Sequence, residues 1–498
     1  MNNRVQLIAY VDRLSGGGLK ELGELLKGQL RGLFGGIHLL PFFRPMDGSD
    51  AGFDPIDHTQ VDSRLGTWDD VLALSENLEM MSDLIVNHVS SQSPQFQDFI
   101  QHGEESRYAG MFLTYNRVFP EGANESDLLQ IYRPRPGLPF TKFNLANGVQ
   151  RLLWTTFTGE QIDIDVRSTE GAGYLRKILT QFQSAGIDII RLDAAGYAIK
   201  KAGTSCFMIP ETFSFIAELA EEAHALGIEV LVEIHSHYLE QIEIARRVDW
   251  VYDFALPPLI LHTLYTRNAR ALKQWLGISP RNAITVLDTH DGIGVIDVGG
   301  DPTDRNGRPG LLSPREIDDL VETIHQRSNG ESRQATGGAA SNLDLYQVNC
   351  TFYDALGRND NDYLIARAMQ FFAPGVPQVY YVGLLAGSND MKLLDRTKVG
   401  RDINRHYYTG REVAEQLSRP VVQRLLDLIR MRDEHQAFGG AFTLEPGSDD
   451  TVVMEWRRDR DWARLDVDLA APSACITLST ASGSERIPVT TRTSEVNA

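Results

Sequence analysis

Eight short runs of apolar residues, spread over most of the chain, constrain its fold more than any other feature. They are rich in Val, Ile and Leu and nearly continuous, and they cover residues 5–11, 36–43, 81–88, 187–194, 229–235, 250–256, 283–291 and 376–383. Strands buried on both faces have this character, because neither face needs polar side chains. The runs therefore predict eight central strands of a parallel sheet.

Amphipathic segments lie between these runs and predict helices that connect parallel strands. Clear examples cover residues 68–78, 174–185, 211–226 and 361–373. Repeated strand–helix alternation defines an α/β fold, and eight such strands closed into a ring form a (β/α)8 TIM barrel. An open, doubly wound sheet is the alternative, but no dinucleotide-type glycine fingerprint follows the first run. We therefore predict the barrel.

Two long irregular intervals interrupt the alternation, and both follow predicted strands. Loops of this length are usually functional, and barrel enzymes place their chemistry at the C-terminal ends of the strands. The predicted barrel comprises residues 1–85, 168–292 and 358–436, with lid insertions at 86–167 and 293–357. The short alternating runs TVVMEWRR and ITLST predict a small C-terminal β-domain at 437–498.

Charge and cysteine content narrow the class of protein. The 48 basic and 67 acidic side chains give a net charge of −19, which argues against nucleic acid and anionic membranes as partners. An anionic substrate would need a local basic pocket. The three cysteines, Cys206, Cys350 and Cys475, form a poor disulfide framework and fit a reducing compartment. With no secretory signal and no transmembrane stretch in the sequence, we expect a cytoplasmic enzyme.

Charged side chains emerge at the ends of three apolar runs, where solvation is poor. They are Arg191 and Asp193 after the fourth run, Glu233 and His235 after the fifth, and His290 and Asp291 after the seventh. Two carboxylates that flank a glycosidic bond are the minimal equipment for its cleavage, one ionised and one protonated. Because Arg191 favours the ionised form of Asp193, we interpret Asp193 as the nucleophile and Glu233 as the acid.

Two other interpretations of these residues remain open. The carboxylates could form structural ion pairs at the barrel rim, or they could hold a metal ion. The HExxH pattern is absent and no other closely spaced ligand set stands out. We therefore expect neither a metal nor a cofactor.

Four strand-end motifs carry a family resemblance. RLDAAG, VEIH and LDTHDG, together with VNH at residues 86–88, resemble in sequence and order the motifs of the α-amylase superfamily. The resemblance implies that Asp193 is the nucleophile, Glu233 the general acid/base and Asp291 the stabiliser of the transition state. It also implies that the glucosyl unit is held by Arg191, His88 and His290.

Within this superfamily the chain resembles the sucrose phosphorylase family along nearly its whole length. The segments that carry the resemblance include DAGFDPIDH, IYRPRPGLPF, AGTSCFM, SNLDLYQVN and GRDINRHYY. It implies retaining phosphorolysis of sucrose to α-D-glucose 1-phosphate and fructose through a covalent glucosyl-aspartate, and a possible homodimer. The further substrate-binding residues that it implies are Asp50, Phe53, Tyr132, Phe157, Gln161, Tyr197, His235, Leu345, Gln347 and Arg401.

Phosphate must compete with a vast excess of water, so it needs fixed donors beside the glucosyl site. The segment 132–136, with two arginines between prolines, is either a solvated loop or a source of such donors. The resemblance favours the second interpretation, since it implies that Arg135 and Tyr346 contact phosphate while Asp344 holds fructose. Loop rearrangement between half-reactions would separate Asp344 from the phosphate.

Three alternative functions remain. The first is a related phosphorylase for glucosylglycerol, glucosylglycerate or sucrose 6′-phosphate. The second is a sucrose-active transglucosidase or hydrolase, which the RPRPG segment disfavours. The third is an inactive barrel used for binding, which is disfavoured because all three catalytic carboxylate positions are filled.

Overall fold

A computed structural model describes residues 1–44, 51–133, 137–300, 307–338 and 347–490. Its centre is a closed barrel of eight parallel strands. These are β1 (Gln6–Ala9), β2 (Gly36–Leu39), β3 (Glu79–Ile85), β4 (Ile189–Asp193), β5 (Glu229–Val232), β6 (Trp250–Asp253), β7 (Ala283–Thr285) and β8 (Val376–Tyr380). Seven strands fall within the predicted runs, while Glu79–Ile85 begins two residues before its run, 81–88. The (β/α)8 prediction is confirmed.

The ring closes because β1 pairs with both β2 and β8. Gln6 is the register partner of Gly36 on one side and of Gln378 on the other. Nearly all strand residues are buried, which explains why the runs are continuous in sequence and not alternating. The pairing of β3 with β4 places Asp83 beside Arg191, so two oppositely charged residues are buried next to each other in the barrel.

Helices surround the barrel. The principal ones are Leu19–Lys27, Trp68–Ser75, Thr169–Ser184, Pro210–Ala225, Tyr238–Ala245, Leu256–Thr266, Arg270–Ile278, Asp360–Phe372 and Pro420–Glu434. The helix Thr169–Ser184 shows why they form. The Ser168 side chain accepts from the Gly171 amide at its start, and residues such as Tyr174, Ile178 and Phe182 bury one face.

The interval after β3 contains its own secondary structure. A helix (Pro94–His102) is followed by a hairpin of Phe140–Asn144 and Gln150–Trp154. The strand His88–Ser90 pairs antiparallel with Gln161–Asp163. This second pairing connects the beginning of the interval to its end, directly above β3.

The interval after β7 differs from the irregular segment that we expected. It contains a 14-residue helix, Pro314–Arg327, which begins with a capping box between Ser313 and Glu316 and has proline at its first position. The sequence S-P-R-E carries this signal, so the helix could have been predicted. At its base, Ile293–Gly294 pairs antiparallel with Gln347–Val348.

The C-terminal region is a five-stranded antiparallel sheet, as predicted. Its strands are β9 (Ala441–Leu444), β10 (Thr451–Arg458), β11 (Asp461–Asp468), β12 (Ser473–Thr480) and β13 (Gly483–Pro488). Alternate residues of β10 are buried, which matches a sheet with one covered face. The Trp456 indole donates to the Phe372 carbonyl oxygen at 2.8 Å, so the sheet is attached to a barrel helix.

In the described part of the chain, no helix combines the length and the apolar character that crossing a membrane requires. The three cysteines are free thiols.

A buried ion pair fixes the end of β7 to a barrel helix. Arg367 Nη2 donates to both carboxylate oxygens of Asp288, at 2.8 and 2.9 Å, and both side chains are buried. A Cβ atom on Gly383 would lie 1.9 Å from Asp288 Oδ2, so only glycine leaves room for the pair.

Removal of the arginine should destabilise the fold strongly. We expect Arg367→Met to lower the free energy of unfolding by about 3–5 kcal/mol, because it leaves a buried carboxylate without its partner. Denaturant titration followed by fluorescence measures the change. Arg315→Met is the matched control, since Arg315 pairs with Asp319 in solvent and should change stability by less than about 1 kcal/mol. Equal effects of the two substitutions would contradict this view of the buried pair.

Candidate active site

Arg191, at the end of β4, lies between three carboxylates. Its Nη1 donates to Asp83 and, at 3.2 Å, to Asp193 Oδ1. Its Nη2 lies 2.6 Å from Glu233 Oε1. The structure therefore brings together side chains from the ends of β3, β4 and β5 around one buried guanidinium group.

In this cluster, burial and neighbouring charges shift the pKa values of Arg191 and Asp83 in opposite directions. Burial alone would lower the pKa of Arg191, but Glu233, Asp83 and Asp193 hold it well above its ordinary value. Burial would likewise raise the pKa of Asp83, but His38 and Arg191 lower it to about 2. His38 Nε2 lies 3.0 Å from Asp83 Oδ2. Asp83 is therefore an ionised anchor that fixes Arg191 beneath the two candidate catalytic groups.

The arginine two residues before Asp193 does not set Asp193 apart from Glu233. We assigned Asp193 and Glu233 different roles because only Asp193 has an arginine two residues away. In the structure Arg191 contacts both carboxylates, because β4 and β5 are adjacent and their ends lie at the same level. A neighbouring arginine therefore does not distinguish the nucleophile from the acid.

Asp291 is surrounded by cationic and polar groups. Its Oδ1 lies 2.8 Å from Arg401 Nη1, 3.7 Å from His290 Nε2 and 3.8 Å from Arg405 Nη2. Burial would raise the pKa of Asp291, but the Arg401 and Arg405 guanidinium groups hold it well below its ordinary value. Asp291 thus supplies a fixed negative charge, which can stabilise positive charge that develops on a bound substrate.

His290 and Phe53 form one wall of the site. Their rings stack at 4.8 Å with an interplanar angle of 12°. Burial holds the pKa of His290 well below its ordinary value, so this imidazole is neutral. A neutral imidazole can both donate and accept hydrogen bonds, which suits contact with a hydroxyl group.

A second wall, which adjoins the first at Phe53, is formed by the interval after β3. His88 Nε2 lies 2.9 Å from the Phe53 carbonyl oxygen and 3.1 Å from Gln161 Nε2. The Phe157 ring meets His88 edge-on at 5.4 Å. The pairing of His88–Ser90 with Gln161–Asp163 holds His88 close to Gln161, and the contacts of His88 with Phe53 and Phe157 complete the cluster.

Aromatic side chains form the outer part of this wall. Tyr197 packs against Phe157 at 5.1 Å and against Tyr132 at 6.2 Å. Phe207 joins the same group, 4.6 Å from Tyr132 and 4.7 Å from Tyr197. We did not predict Phe207, although it lies within the family-like segment AGTSCFM.

His235 and Gln347 lie beside the carboxylates. The His235 ring stacks on Phe254 at 3.9 Å, and its Nδ1 lies 3.0 Å from Asp297 Oδ2. Gln347 Nε2 lies 3.4 Å from His235 Nε2, and Gln347 Oε1 accepts from Arg401 Nη2 at 3.3 Å. Gln347 therefore connects the second insertion to His235 and to Arg401, both of which lie close to Asp291.

Sequence reasoning missed several residues that hold the site together. Lys200 Nζ lies 2.8 Å from Asp163 Oδ2 and 2.7 Å from Asn87 Oδ1, and it also donates to the Tyr197 carbonyl. Arg405 Nε donates to the His290 carbonyl at 2.9 Å. These contacts join distant parts of the chain, and only the position of Arg405 within GRDINRHYY gave a signal.

Five predicted site residues lie outside the described part of the chain. They are Asp50, Arg135, Asp344, Leu345 and Tyr346. The structure brings all the other predicted residues to the same end of the barrel.

Three groups of the site converge closely enough to be considered as metal ligands. One ligand atom each from Glu233, His235 and Asp291 lies within 4.8 Å of the other two. Arg191 and Arg401 already contact the two carboxylates, and a divalent cation would be repelled by both guanidinium groups. We therefore assign no metal to this position.

The arrangement is suited to acid–base and nucleophilic chemistry on a neutral, hydroxylated ligand. Two carboxylates share one arginine, a third is held ionised by two arginines, and aromatic rings and the neutral His290 line the site. Buried carboxylates next to aromatic rings are the equipment of glycoside cleavage.

Comparison with known proteins agrees with this geometry. The sequence profile described as "Alpha amylase, catalytic domain" matches residues 30–247. A sucrose phosphorylase from Agrobacterium vitis is 64% identical over 96% of this chain and 98% of its own length. The sucrose phosphorylase of Bifidobacterium adolescentis is 56% identical over 93% and 92%. The crystal structure of a sucrose 6F-phosphate phosphorylase from Thermoanaerobacter thermosaccharolyticum superposes with a TM-score of 0.89 at 39% identity, covering 98% of this chain and 97% of that one.

The low pKa of Asp83 predicts a pH-dependent contribution to stability. A carboxyl whose pKa is about 2 in the folded protein and about 3.9 in the unfolded chain stabilises the fold above pH 4. This contribution is lost as the pH falls towards 2. We expect Asp83→Asn to lower the free energy of unfolding by about 2–3 kcal/mol at pH 7, and by progressively less below pH 4.

Urea unfolding at several pH values measures this difference. Asp395→Asn is the matched control, because Asp395 is exposed beside Lys398 and should have little effect at any pH. A destabilisation by Asp83→Asn that stays constant down to pH 3 would contradict the assignment.

Proposed function

The chain belongs to the sucrose phosphorylase family, and we propose that it catalyses the reversible phosphorolysis of sucrose to α-D-glucose 1-phosphate and D-fructose. The enzyme is thus a hexosyltransferase that moves a glucosyl unit between fructose and phosphate. The substrate assignment rests on the sequence identity, 64% and 56% over more than nine-tenths of this chain, to two relatives named sucrose phosphorylase. The geometry around Arg191 supports the mechanism.

In the first half-reaction, we propose that an Asp193 carboxylate oxygen attacks the anomeric carbon of the glucosyl unit. The bond from this carbon to the fructosyl oxygen breaks, and Glu233 gives its proton to that oxygen. Asp291 stabilises the positive charge that develops on the glucosyl ring. The products are fructose and a β-linked glucosyl-aspartate.

In the second half-reaction, a phosphate oxygen attacks the same carbon and releases Asp193. Glu233, now ionised, takes the proton of the attacking phosphate and regains its starting state. Two inversions give net retention and hence α-D-glucose 1-phosphate. The mechanism needs no metal and no cofactor, since acid, nucleophile and stabiliser are all side chains.

We propose that the glucosyl unit is held between the two walls of the site. His88, His290, Arg191, Arg401 and Asp50 would contact its hydroxyl groups, while Phe53, Phe157 and Tyr197 cover the ring and Gln161 orients His88. The stacking of Phe53 on His290 supports this arrangement, because aromatic faces bind the apolar side of a sugar ring while polar groups bind its hydroxyls.

The acceptor half of the site would be formed by lid residues. They are Tyr132, Arg135, His235, Asp344, Leu345, Tyr346 and Gln347. We propose that Arg135 and Tyr346 bind phosphate and that Asp344 binds fructose. The placement of Tyr132 beside Tyr197 supports a position for this lid next to the glucosyl site.

The division into domains, the cellular location and the oligomeric state are also proposals. We propose that the barrel segments (1–85, 168–292, 358–436), the two insertions (86–167, 293–357) and the C-terminal region (437–498) act as distinct units. Free cysteines support a reducing cytoplasmic location. The family resemblance supports a homodimer, which light scattering can test.

Product analysis is the decisive test of function. With sucrose and phosphate, we expect α-D-glucose 1-phosphate and fructose in equal amounts, and with sucrose alone only slow formation of glucose. Asp193→Asn should reduce phosphorolysis by several powers of ten. Parallel incubations with glucosylglycerol and sucrose 6′-phosphate test the related phosphorylases. Rapid phosphate-independent hydrolysis, or a preference for another glucoside, would overturn the assignment.

A substrate with a good leaving group tests the role of Glu233. We expect Glu233→Gln to lose far less activity on α-glucosyl fluoride than on sucrose, because fluoride leaves without protonation. Asp193→Asn, the comparison variant, should lose activity on both substrates. Equal losses of Glu233→Gln on both would argue against Glu233 as the acid.

A further inference from the structure

Asp297 is a buried carboxylate next to the site to which the mechanism above gives no role. It accepts hydrogen bonds from the Gln241 side chain at 2.7 Å and from the Ser236 amide at 3.2 Å, and it lies 3.0 Å from His235 Nδ1. A Cβ atom on Gly294 would lie 2.6 Å from Asp297 Oδ2. The chain therefore leaves room for a close contact between this carboxylate and His235.

This contact fixes both the orientation and the charge of His235. Its Nδ1–H donates to Asp297, its ring lies flat on Phe254, and its Nε2 lies 3.4 Å from Gln347 Nε2. One of its ring nitrogens lies within 4.8 Å of a carboxylate oxygen of Glu233 and of Asp291. Burial lowers the pKa of His235, but Asp297, followed by Glu233 and Asp291, raises it above its ordinary value. The imidazolium form thus persists to a higher pH than that of an ordinary histidine.

A cation at this position would reduce the repulsion between phosphate and Glu233 in the second half-reaction. Once fructose has left with the proton of Glu233, this carboxylate is ionised. Phosphate, itself an anion, must then approach the same carboxylate within a protein of net charge −19. Like charges repel strongly where water is excluded, so a nearby imidazolium offsets a barrier that neutral acceptors do not meet.

We propose that Asp297 is a positioning residue that keeps His235 oriented and cationic, and that this pair supports phosphate as the acceptor at neutral pH. The inference rests on the proposed function and assigns it a further determinant. Since the pair acts on an anion, the formation of the glucosyl-enzyme from sucrose should depend on it much less than phosphate attack does.

Asp297→Asn tests the proposal, with inorganic phosphate as the probe. We expect the KM for phosphate to rise about 10-fold at neutral pH, the typical effect of losing one charge-assisted contact. The ratio of glucose 1-phosphate to glucose should fall, while release of fructose from sucrose without phosphate should change less than about twofold.

The pH dependence separates this role from a structural one. The ratio of the phosphate KM of the variant to that of the wild type should be smallest at a pH below the pKa that His235 has in the variant, because His235 is then protonated in both proteins. It should be largest between the two histidine pKa values and fall again above them. Ionisation of phosphate itself cancels in this ratio.

Two variants serve as controls. Asp354→Asn removes another buried carboxylate, which accepts from Thr351 and Asn389 and pairs with Arg358 rather than with His235. It should leave the ratio at one throughout. His235→Gln keeps a neutral donor and should raise the phosphate KM like Asp297→Asn, also if Asp297→Asn fails to fold. A phosphate KM unchanged in both variants, or raised by a constant factor at every pH, would overturn the inference. A wild-type enzyme that makes no glucose 1-phosphate would instead overturn the proposed function.

Discussion

The chemistry of this barrel depends on one shared guanidinium group. Arg191 contacts Asp83, Asp193 and Glu233, which without it would be three carboxyl groups with no cation between them in a poorly solvated space. Such a cluster is costly unless each charge has a partner. The register of β3 and β4 places Asp83 beside Arg191, and His38 holds Asp83 from the neighbouring strand. The positions of the reacting groups thus follow from strand pairing.

Much of this site could be predicted from sequence because the signal is local. Apolar runs that end in Arg, Asp, Glu or His place these groups at one rim once the strands form a ring. Asp297, Lys200 and Arg405 could not be found in this way, since their importance lies in contacts with residues about 60 to 115 positions away. The shared contact of Arg191 with Glu233 was missed for the same reason.

The aromatic wall is held by strained backbone. Ala194, Cys206 and Met208 adopt positive φ angles of 54°, 53° and 50°, which cost about 1 kcal/mol or more each. The Met208 amide donates to the Gly196 carbonyl, and the Tyr132 amide donates to the Ser205 carbonyl. The first bond closes the loop after β4 on itself, and the second connects this loop to the first insertion. The strained residues thus lie in the loop that places Tyr197 and Phe207 against Tyr132 in one aromatic surface.

The short pairing of Ile293–Gly294 with Gln347–Val348 has a consequence for how the second insertion can vary. Chain enters and leaves this insertion at one hydrogen-bonded point, so its ends stay together whatever lies between them. The entropy of closing such a segment grows only slowly, by about 0.6 kcal/mol for each doubling of its length. Chain entropy therefore sets only a weak limit on the length of this insertion. A change in the length of the segment between the two strands therefore leaves Gln347 beside Arg401.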